Sequence, residues 1–301
     1  MKTLKEYAAI VNARLETIVP MFAEDSFREG EMPEMLSRSM RYSLLAGGKR
    51  LRPSMVLAAV EMLGGDADFA LDFACAVEMI HSYSLIHDDL PGMDDDCLRR
   101  GKPTNHVVFG VGQAILAGDG LLNCAFERML EAALRRPDWA ARSLNAIREI
   151  ATGAGVTGMI GGQVMDLYCE NNAMQSEAAL SYIHRGKTAC MFIYPLRAAG
   201  HLAGATPEQI EALGVYGEMF GRVFQATDDL LDVIGTSAEM GKTLGKDAEQ
   251  GKLTAVAMYG VEETRRKVAE MTQKGLDALR IFDARADFFR NLLASMGERT
   301  N

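Results

Sequence analysis

The sequence has few cysteines and few prolines, and each shortage excludes a class of protein. Its five cysteines lie at least 21 residues apart and include no CxxC pair, which argues against a disulfide framework and a zinc site. Only eight prolines occur, and no stretch is rich in Pro, Ser or Gln, so the chain contains no recognisable linker or low-complexity segment. We therefore expect a single domain over residues 1–301, with reduced thiols.

Long apolar runs and an excess of basic residues are also missing. No apolar run approaches the roughly 18 residues that a membrane span needs. The N-terminal segment MKTLKEYAAIVNARLETIVP carries charges that suit an amphipathic helix better than a signal peptide. The 32 Lys and Arg are outnumbered by 41 Asp and Glu, which argues against nucleic acid or an anionic membrane surface as the main partner. We expect a cytoplasmic protein without stable membrane insertion.

Helical periodicity is what the sequence does contain. Apolar residues at Leu4, Tyr7, Val11 and Leu15 follow the 3.6-residue repeat of a helix, whereas alternating strand patterns are scarce. Nineteen methionines and many alanines also favour helix over strand. The predicted fold class is all-α, in the form of a helical bundle. Further helices are predicted over residues 111–134, 139–152, 177–200, 207–233 and 254–278.

Two dense acidic clusters interrupt this pattern. The first, HDDLPGMDDDCLRR at residues 87–100, follows a long apolar helix that Pro91 ends. Such a run is often a solvated loop, but carboxylates at the end of an apolar helix are costly to desolvate unless a cation neutralises them. A turn at Pro91 would bring Asp94 back beside Asp88, although six positions separate them.

The second cluster, FQATDDLLDV, begins at residue 224. Its Gln225, Asp228 and Asp232 are spaced i, i+3, i+7 and share one stripe of a helix. Hard oxygen ligands without a His or Cys pattern suit Mg²⁺, which binds through one or two carboxylates together with substrate phosphates. Basic patches that would complement a diphosphate contain Lys49, Arg50, Arg52, Arg99, Arg100, Arg185, Lys187, Lys242, Lys246 and Lys252.

In order and spacing, six motifs resemble the trans-isoprenyl diphosphate synthases, a family that includes bacterial farnesyl diphosphate synthases (geranyltranstransferases) and geranylgeranyl diphosphate synthases. The resemblance implies an isoprenoid-synthase-type helical bundle around a deep central cavity, a homodimer, and condensation of isopentenyl diphosphate with dimethylallyl or geranyl diphosphate. The motifs are GGKRLRP (47–53), HSYSLIHDDLPGMDDDCLRRGKPTNH (81–106), GGQVMDL (161–167), HRGKTA (184–189), FQATDDLLDV (224–233) and GKTLGKDAEQGK (241–252).

Motif by motif, the resemblance implies roles for individual side chains. Three Mg²⁺ ions would be coordinated by Asp88, Asp94 and Asp228, and the same catalytic set would include Asp89, Asp229 and Asp232. Contacts with the allylic diphosphate would come from Arg99, Lys187 and Lys242. The isopentenyl diphosphate would be held by Lys49, Arg52, His81 and Arg100, and Lys252 belongs to the substrate-binding set. The allylic cation would be stabilised by Gln225, Thr188 and the carbonyl of Lys187.

Product length is expected to depend on the helix before Asp88, because the growing chain extends away from the diphosphates. Tyr83 stands five positions before Asp88, and family members with an aromatic residue there tend to stop at farnesyl diphosphate. Ser84 and Met79 are the next candidates. Tyr83 therefore favours a farnesyl diphosphate synthase, although GKPTNH also resembles geranylgeranyl diphosphate synthases.

Three other functions remain to be distinguished from this one. A terpene cyclase would share the first acidic motif, but its second motif normally carries Asn, Ser or Thr, and Glu, where this chain has DDLLD. A non-catalytic subunit of the same fold is disfavoured because both acidic motifs are intact. A di-iron protein would need two Glu-x-x-His pairs, and only Glu78 and His81 provide one.

Overall fold

The computed structural model describes residues 1–21, 30–234 and 252–298. Within these ranges the chain forms fourteen α-helices, a π-helical turn and one two-stranded antiparallel sheet. The first helices are α1 (Leu4–Ile18), α2 (Glu34–Leu44), α3 (Leu51–Met62), α4 (Ala67–Asp88), α5 (Asn105–Phe109), α6 (Val111–Arg135) and α7 (Ala140–Ala154). The later ones are α8 (Met159–Asn172), α9 (Glu177–Ile183), α10 (Cys190–Ala203), α11 (Pro207–Ile234), α12 (Ala255–Tyr259), α13 (Val261–Ala278) and α14 (Asp287–Glu298).

The chain divides into two compact units, and each is described by itself. The N-terminal unit contains Lys2–Ala58 and Asp66–Leu144, and the C-terminal unit contains Ala59–Gly65 and the chain from Asn145 onward. The all-α prediction is confirmed. The single domain over residues 1–301 stays a prediction.

Helix α4 is the central element of the N-terminal unit and packs against α1, α2 and α6. It begins at an N-cap, where the Asp66 carboxylate accepts from the Phe69 N–H at 3.0 Å. The expectation that no segment is apolar enough for a membrane span was wrong for α4, because by length and composition an 18-residue window of this 22-residue helix qualifies, with a mean hydropathy of 1.3. Because 72% of that apolar window is buried inside the protein, α4 has the environment of a core helix.

The C-terminal unit is built around α11, which packs against α10 and α13. Its observed span, Pro207–Ile234, is one residue longer than the predicted range. The helix predicted over residues 177–200 is instead three elements, because a π-helical turn at His184–Ala189 separates α9 from α10. The helix predicted over residues 254–278 is broken at Gly260, whose φ of 77° is left-handed.

Glycine allows α8 to approach the π-helical turn closely. A Cβ placed on Gly162 would overlap the backbone nitrogen of Lys187 and lie 2.6 Å from the carbonyl carbon of Gly186. Both neighbours are main-chain atoms, which cannot move aside as a flexible side chain does. The position of the turn therefore depends on a residue without a side chain at 162.

We expect Gly162→Ala to lower the free energy of unfolding by about 1–3 kcal/mol, because the added methyl group must push α8 away from the turn. Gly112→Ala is the matched control, since Gly112 lies in α6 with no atom within 4 Å of its Cβ position. That control should keep its stability or gain up to about 1 kcal/mol from helix propensity. Equal urea midpoints for the two variants would contradict the close contact at Gly162.

Candidate active site

The acidic loop after α4 folds back on the end of the helix, as the sequence predicted. The N–H of Asp94 donates to the carbonyl of Asp88 at 2.9 Å, and the N–H of Asp95 donates to the carbonyl of Leu90 at 3.2 Å. Asp95 has a left-handed φ of 50°, which an aspartate tolerates better than most residues. The turn therefore brings Asp88 and Asp94 together, and both remain partly accessible to solvent.

Asp89 is in a different environment from Asp88. It is 3% exposed, and the Nε of Arg99 donates to its two oxygens at 2.8 and 2.9 Å while Nη2 donates at 2.6 Å. Burial raises the pKa of Asp89, and the hydrogen bonds and charge of Arg99 act against this rise. The two residues thus form a bidentate pair. The predicted catalytic role of Asp89 and the predicted contact of Arg99 with the allylic diphosphate stay predictions.

A short hairpin carries Arg99 and Arg100. Strands β1 (Leu98–Arg99) and β2 (Lys102–Pro103) are joined by two residues with positive φ, Arg100 at 54° and Gly101 at 75°, as in a type I′ turn. Nη1 of Arg100 donates to the carbonyl of Gly47. A Cβ on Gly48 would lie 2.6 Å from this guanidinium, so glycine at 48 allows Arg100 to approach the 47–53 motif.

His81 and Arg52, both predicted to hold isopentenyl diphosphate, are neighbours in the N-terminal unit. Nη1 of Arg52 lies 3.5 Å from Nε2 of His81. Burial lowers the pKa of His81 well below its ordinary value, and the charges of Arg52 and Arg100 add to the effect. Burial also lowers the pKa of Arg52 to about 10, with Arg100 acting in the same direction. His81 is therefore neutral beside two cations.

Arg50 is held in the interior of the N-terminal unit. It is 3% exposed and donates to Glu78 Oε1 at 2.6 Å, Asn12 Oδ1 at 2.8 Å and the carbonyl of Leu44 at 2.7 Å. Lys49, its neighbour in the motif, is exposed and stays a predicted substrate contact. Because Glu78 is paired with Arg50, it is not placed as an iron ligand beside His81.

The three residues assigned to product length all lie on α4. Tyr83 is 6% exposed, and its ring packs edge-on against His87 with centroids 5.6 Å apart. Burial raises the pKa of Tyr83 to about 12, and the charge of Asp88 contributes. Ser84 donates to the carbonyl of His81 at 2.9 Å, and Met79 is fully buried. Tyr83 thus has a fixed position between one and two turns before Asp88.

The second acidic cluster lies on α11, so the predicted helical stripe of Gln225, Asp228 and Asp232 is present. Asp228 is partly exposed, whereas Asp232 is 5% exposed. Among the residues that the structure describes, none forms a hydrogen bond or ion pair with the Asp232 carboxylate. Burial makes an ionised carboxylate costly unless a cation is near, which fits the metal expected here.

The π-helical turn presents Lys187 and Thr188. Lys187 Nζ donates to Asp166 Oδ2 at 2.6 Å, and Asp166 comes from the GGQVMDL motif on α8. The Thr188 hydroxyl donates to Gln225 Oε1 at 2.8 Å. π-Helical turns are uncommon and are often found at functional sites. Three of the predicted residues, Lys187, Thr188 and Gln225, are thereby brought together in the C-terminal unit.

Asp229 is buried behind this group at 3% exposure. Its carboxylate accepts from Gln225 Nε2 at 3.0 Å and from the N–H of Ala255 at 2.7 Å. Nε2 of His184 lies 3.5 Å from the same carboxylate. Asp229 therefore contacts protein donors on three sides, so the structure does not present it as a metal ligand.

The remaining predicted cations follow the second cluster. Lys252 lies 4.0 Å from Glu170, measured from Nζ to Oε1, and is mostly buried with it. Lys242 and Lys246 lie outside the described residues. The C-terminal unit also has a cavity of about 530 Å³, which His184 and Ala226 line but Asp228 and Asp232 do not.

The donor set fits Mg²⁺ without forming a complete protein cage. In the described ranges, no group of three or more His, Cys, Asp or Glu side chains is arranged to hold a metal ion. Magnesium commonly takes only one or two carboxylates and completes its shell with water and substrate phosphates. Within the N-terminal unit, Asp88 and Asp94 offer oxygens of this kind, and within the C-terminal unit Asp228 does.

The sequence motifs indicated no role for Asp166, and they did not predict the ion pair between Glu78 and Arg50. A signal for each was present, because both are acidic residues on otherwise apolar stretches of helix, where a carboxylate requires a cation. His184 opens the HRGKTA motif, but nothing in the motif indicates that it faces Asp229. That contact depends on how the π-helical turn packs against α11.

The chain is similar to known proteins along most of its length. Residues 33–281 match the family described as polyprenyl synthetase. The chloroplastic geranylgeranyl pyrophosphate synthase of Capsicum annuum is 44% identical over 253 residues, which cover 84% of this chain and 68% of that protein. The large subunit 1 of a heterodimeric geranylgeranyl pyrophosphate synthase of Arabidopsis thaliana is 42% identical over 279 residues, covering 92% and 73%.

Solved structures share the fold along nearly the whole chain. An FPP/GFPP synthase from Zymomonas mobilis superimposes with a TM-score of 0.85 at 30% identity, covering 98% of this chain and 97% of that one. A geranyltransferase from Legionella pneumophila gives 0.84 at 30% identity, covering 99% and 96%. The prediction of an isoprenoid-synthase-type helical fold is confirmed.

The low pKa of His81 makes stability depend on pH in a defined direction. The unfolded chain protonates His81 near its ordinary pKa of 6.5, whereas the folded protein does so only well below it. The unfolded state therefore binds more protons below pH 6.5, and the free energy of unfolding should fall as the pH drops through that range. Above it, both states are neutral and the contribution is constant.

Urea unfolding on either side of this pH, with His81→Gln beside the wild type, measures the effect. The wild type should lose more stability on acidification than the variant does. An identical pH dependence in both proteins would show that His81 titrates normally in the folded state.

Proposed function

Since the chain belongs to the polyprenyl synthetase family, we propose that it condenses an allylic diphosphate with isopentenyl diphosphate in a Mg²⁺-dependent reaction. The observation that supports this most directly is the turn that joins Asp94 to Asp88 at the end of α4, close to Arg99. It combines oxygen ligands for Mg²⁺ with a cation that complements a diphosphate. Membership of this family supports prenyl transfer as the reaction. The length of the product is a separate question.

The proposed binding roles follow the observed environments. Lys187 and Arg99 would bind the allylic diphosphate, and each is held in place by a carboxylate, Asp166 and Asp89 respectively. Mg²⁺, when bound, would withdraw charge from the leaving diphosphate.

Lys49, Arg52 and Arg100 would bind the isopentenyl diphosphate. The neutral imidazole of His81 beside them can also donate one hydrogen bond to it.

The protein's part in the chemistry would be electrostatic. As the allylic C–O bond breaks, its electron pair leaves with the diphosphate oxygen and positive charge develops on carbon. The oxygens of Thr188 and of the Lys187 carbonyl would face that charge as fixed dipoles. The isopentenyl double bond then attacks, and the departing diphosphate would take the released proton, which agrees with the absence of an assigned side-chain base in the motifs.

We propose geranylgeranyl diphosphate as the product, because the relatives from Capsicum annuum and Arabidopsis thaliana are named as geranylgeranyl pyrophosphate synthases. Farnesyl diphosphate, the product that the sequence favoured, is the second candidate. It is supported by the bulk and burial of Tyr83 shortly before Asp88 on α4. We also propose that this chain forms a homodimer in the cytoplasm, although the Arabidopsis relative is named as one subunit of a heterodimer.

Product analysis tests this function directly. With isopentenyl diphosphate, dimethylallyl diphosphate and Mg²⁺, we expect geranylgeranyl diphosphate as the longest main product, and no product after chelation of the metal. Farnesyl diphosphate as the end product would support the second candidate. Conversion of farnesyl diphosphate alone to a hydrocarbon would indicate a cyclase, and no turnover of any starter would indicate a non-catalytic subunit.

Substitution of Tyr83 tests the control of product length. Tyr83→Ala should lengthen the main product by at least one isoprene unit, because a bulky side chain is removed from α4 shortly before Asp88. Tyr83→Phe is the matched control, since it keeps the ring and should keep the wild-type length. The chromatographic profile of extracted products measures both, and equal profiles for the two variants would remove Tyr83 from this role.

A further inference from the structure

The buried carboxylate of Asp229 connects three elements of the C-terminal unit. It accepts from Gln225 Nε2 through Oδ1 at 3.0 Å and from the N–H of Ala255 through Oδ2 at 2.7 Å. The ring of His184 in the π-helical turn lies 3.5 Å from Oδ2. At 3% exposure, this carboxylate is held almost entirely by protein groups.

The charge on Asp229 determines which way the Gln225 amide faces. An ionised carboxylate can only accept, so Gln225 must turn its NH₂ group toward Asp229. The amide oxygen then faces the other way, where it accepts from the Thr188 hydroxyl at 2.8 Å. The single proton of that hydroxyl is thereby directed at Gln225, and the lone pairs of Thr188 remain available on its other side.

We propose that Asp229 is a positioning residue, which fixes the direction of the hydrogen bonds from Thr188 through Gln225 so that the Thr188 oxygen offers lone pairs to the allylic cation. This inference rests on the proposed prenyl transfer. Its physical basis is preorganisation, since a Thr188 hydroxyl dipole that already points in the favourable direction need not reorient as positive charge develops on the allylic carbon. Asp229 acts through Thr188 and Gln225, without contact with substrate.

The substitution Asp229→Asn would reverse this relay. The main-chain N–H of Ala255 is a fixed donor, so the new carboxamide must turn its oxygen toward Ala255 and its NH₂ toward Gln225. Gln225 then has to present its own oxygen to that NH₂ and its own NH₂ to Thr188. The Thr188 hydroxyl would accept from the Gln225 amide and direct its proton toward the cation. That proton is the positive end of the O–H dipole, so it would destabilise the cation.

The test is steady-state kinetics of Asp229→Asn with allylic and isopentenyl diphosphates. We expect kcat to fall by roughly a hundredfold to a thousandfold, the range found when one preorganised hydrogen-bond donor is lost, while the KM for isopentenyl diphosphate stays within about twofold. Asp277→Asn on α13, where Asp277 forms an exposed pair with Arg280, is the control and should retain wild-type kinetics.

A double-mutant cycle separates this role from a structural one. In a Thr188→Val background, Asp229→Asn should change kcat by less than about twofold, because no hydroxyl remains to be reoriented. In a Thr188→Ser background the loss should persist. An equal loss in the Val and Ser backgrounds, or unchanged kcat for Asp229→Asn alone, would overturn the inference.

A second variant covers the case in which Asp229→Asn fails to fold. Gln225→Met interrupts the relay but leaves the bond between Asp229 and Ala255 in place, so it should also lower kcat only when residue 188 carries a hydroxyl. An equal effect of Gln225→Met in the Thr188→Val background would overturn the inference. Wild-type protein without prenyl transfer would overturn the proposed function and this inference together, whereas an active wild type with insensitive variants would overturn this inference alone.

Discussion

Desolvation of carboxylates is the constraint on which both acidic clusters depend. In each Asp-Asp pair the second residue is buried and the first is partly exposed. Asp89 and Asp229 are each 3% exposed, whereas Asp88 and Asp228 keep part of their surface accessible. Successive residues of a helix point about 100° apart, so the two carboxylates of a pair cannot share one environment.

The buried member of each pair is stabilised by donors of the protein itself. The guanidinium of Arg99 holds Asp89, and the main-chain N–H of Ala255 holds Asp229 together with the Gln225 amide. A buried carboxylate without such donors would be strongly destabilising. Each cluster therefore combines an anchored acid with a neighbouring acid that remains partly accessible to solvent.

Cations in the basic motif follow the same rule. Arg50 is buried and bonded to Glu78, while the adjacent Lys49 is exposed. Neighbouring residues of like charge thus lie in different environments, Arg50 within the protein core and Lys49 in solvent. The neutral state of His81 fits this arrangement, because a further buried positive charge beside Arg52 would be repelled.

Helical periodicity and the geometry of proline act over a few residues, so the all-α class, the span of α11 and the turn that returns Asp94 to Asp88 could be predicted from the sequence. Tertiary structure alone decided where the predicted helix at 177–200 gives way to a π-helical turn, which packs against Gly162 on α8. It also decided which carboxylates are anchored by protein donors. Those donors come from distant parts of the chain, and the sequence around a carboxylate does not show which group will donate a hydrogen bond to it.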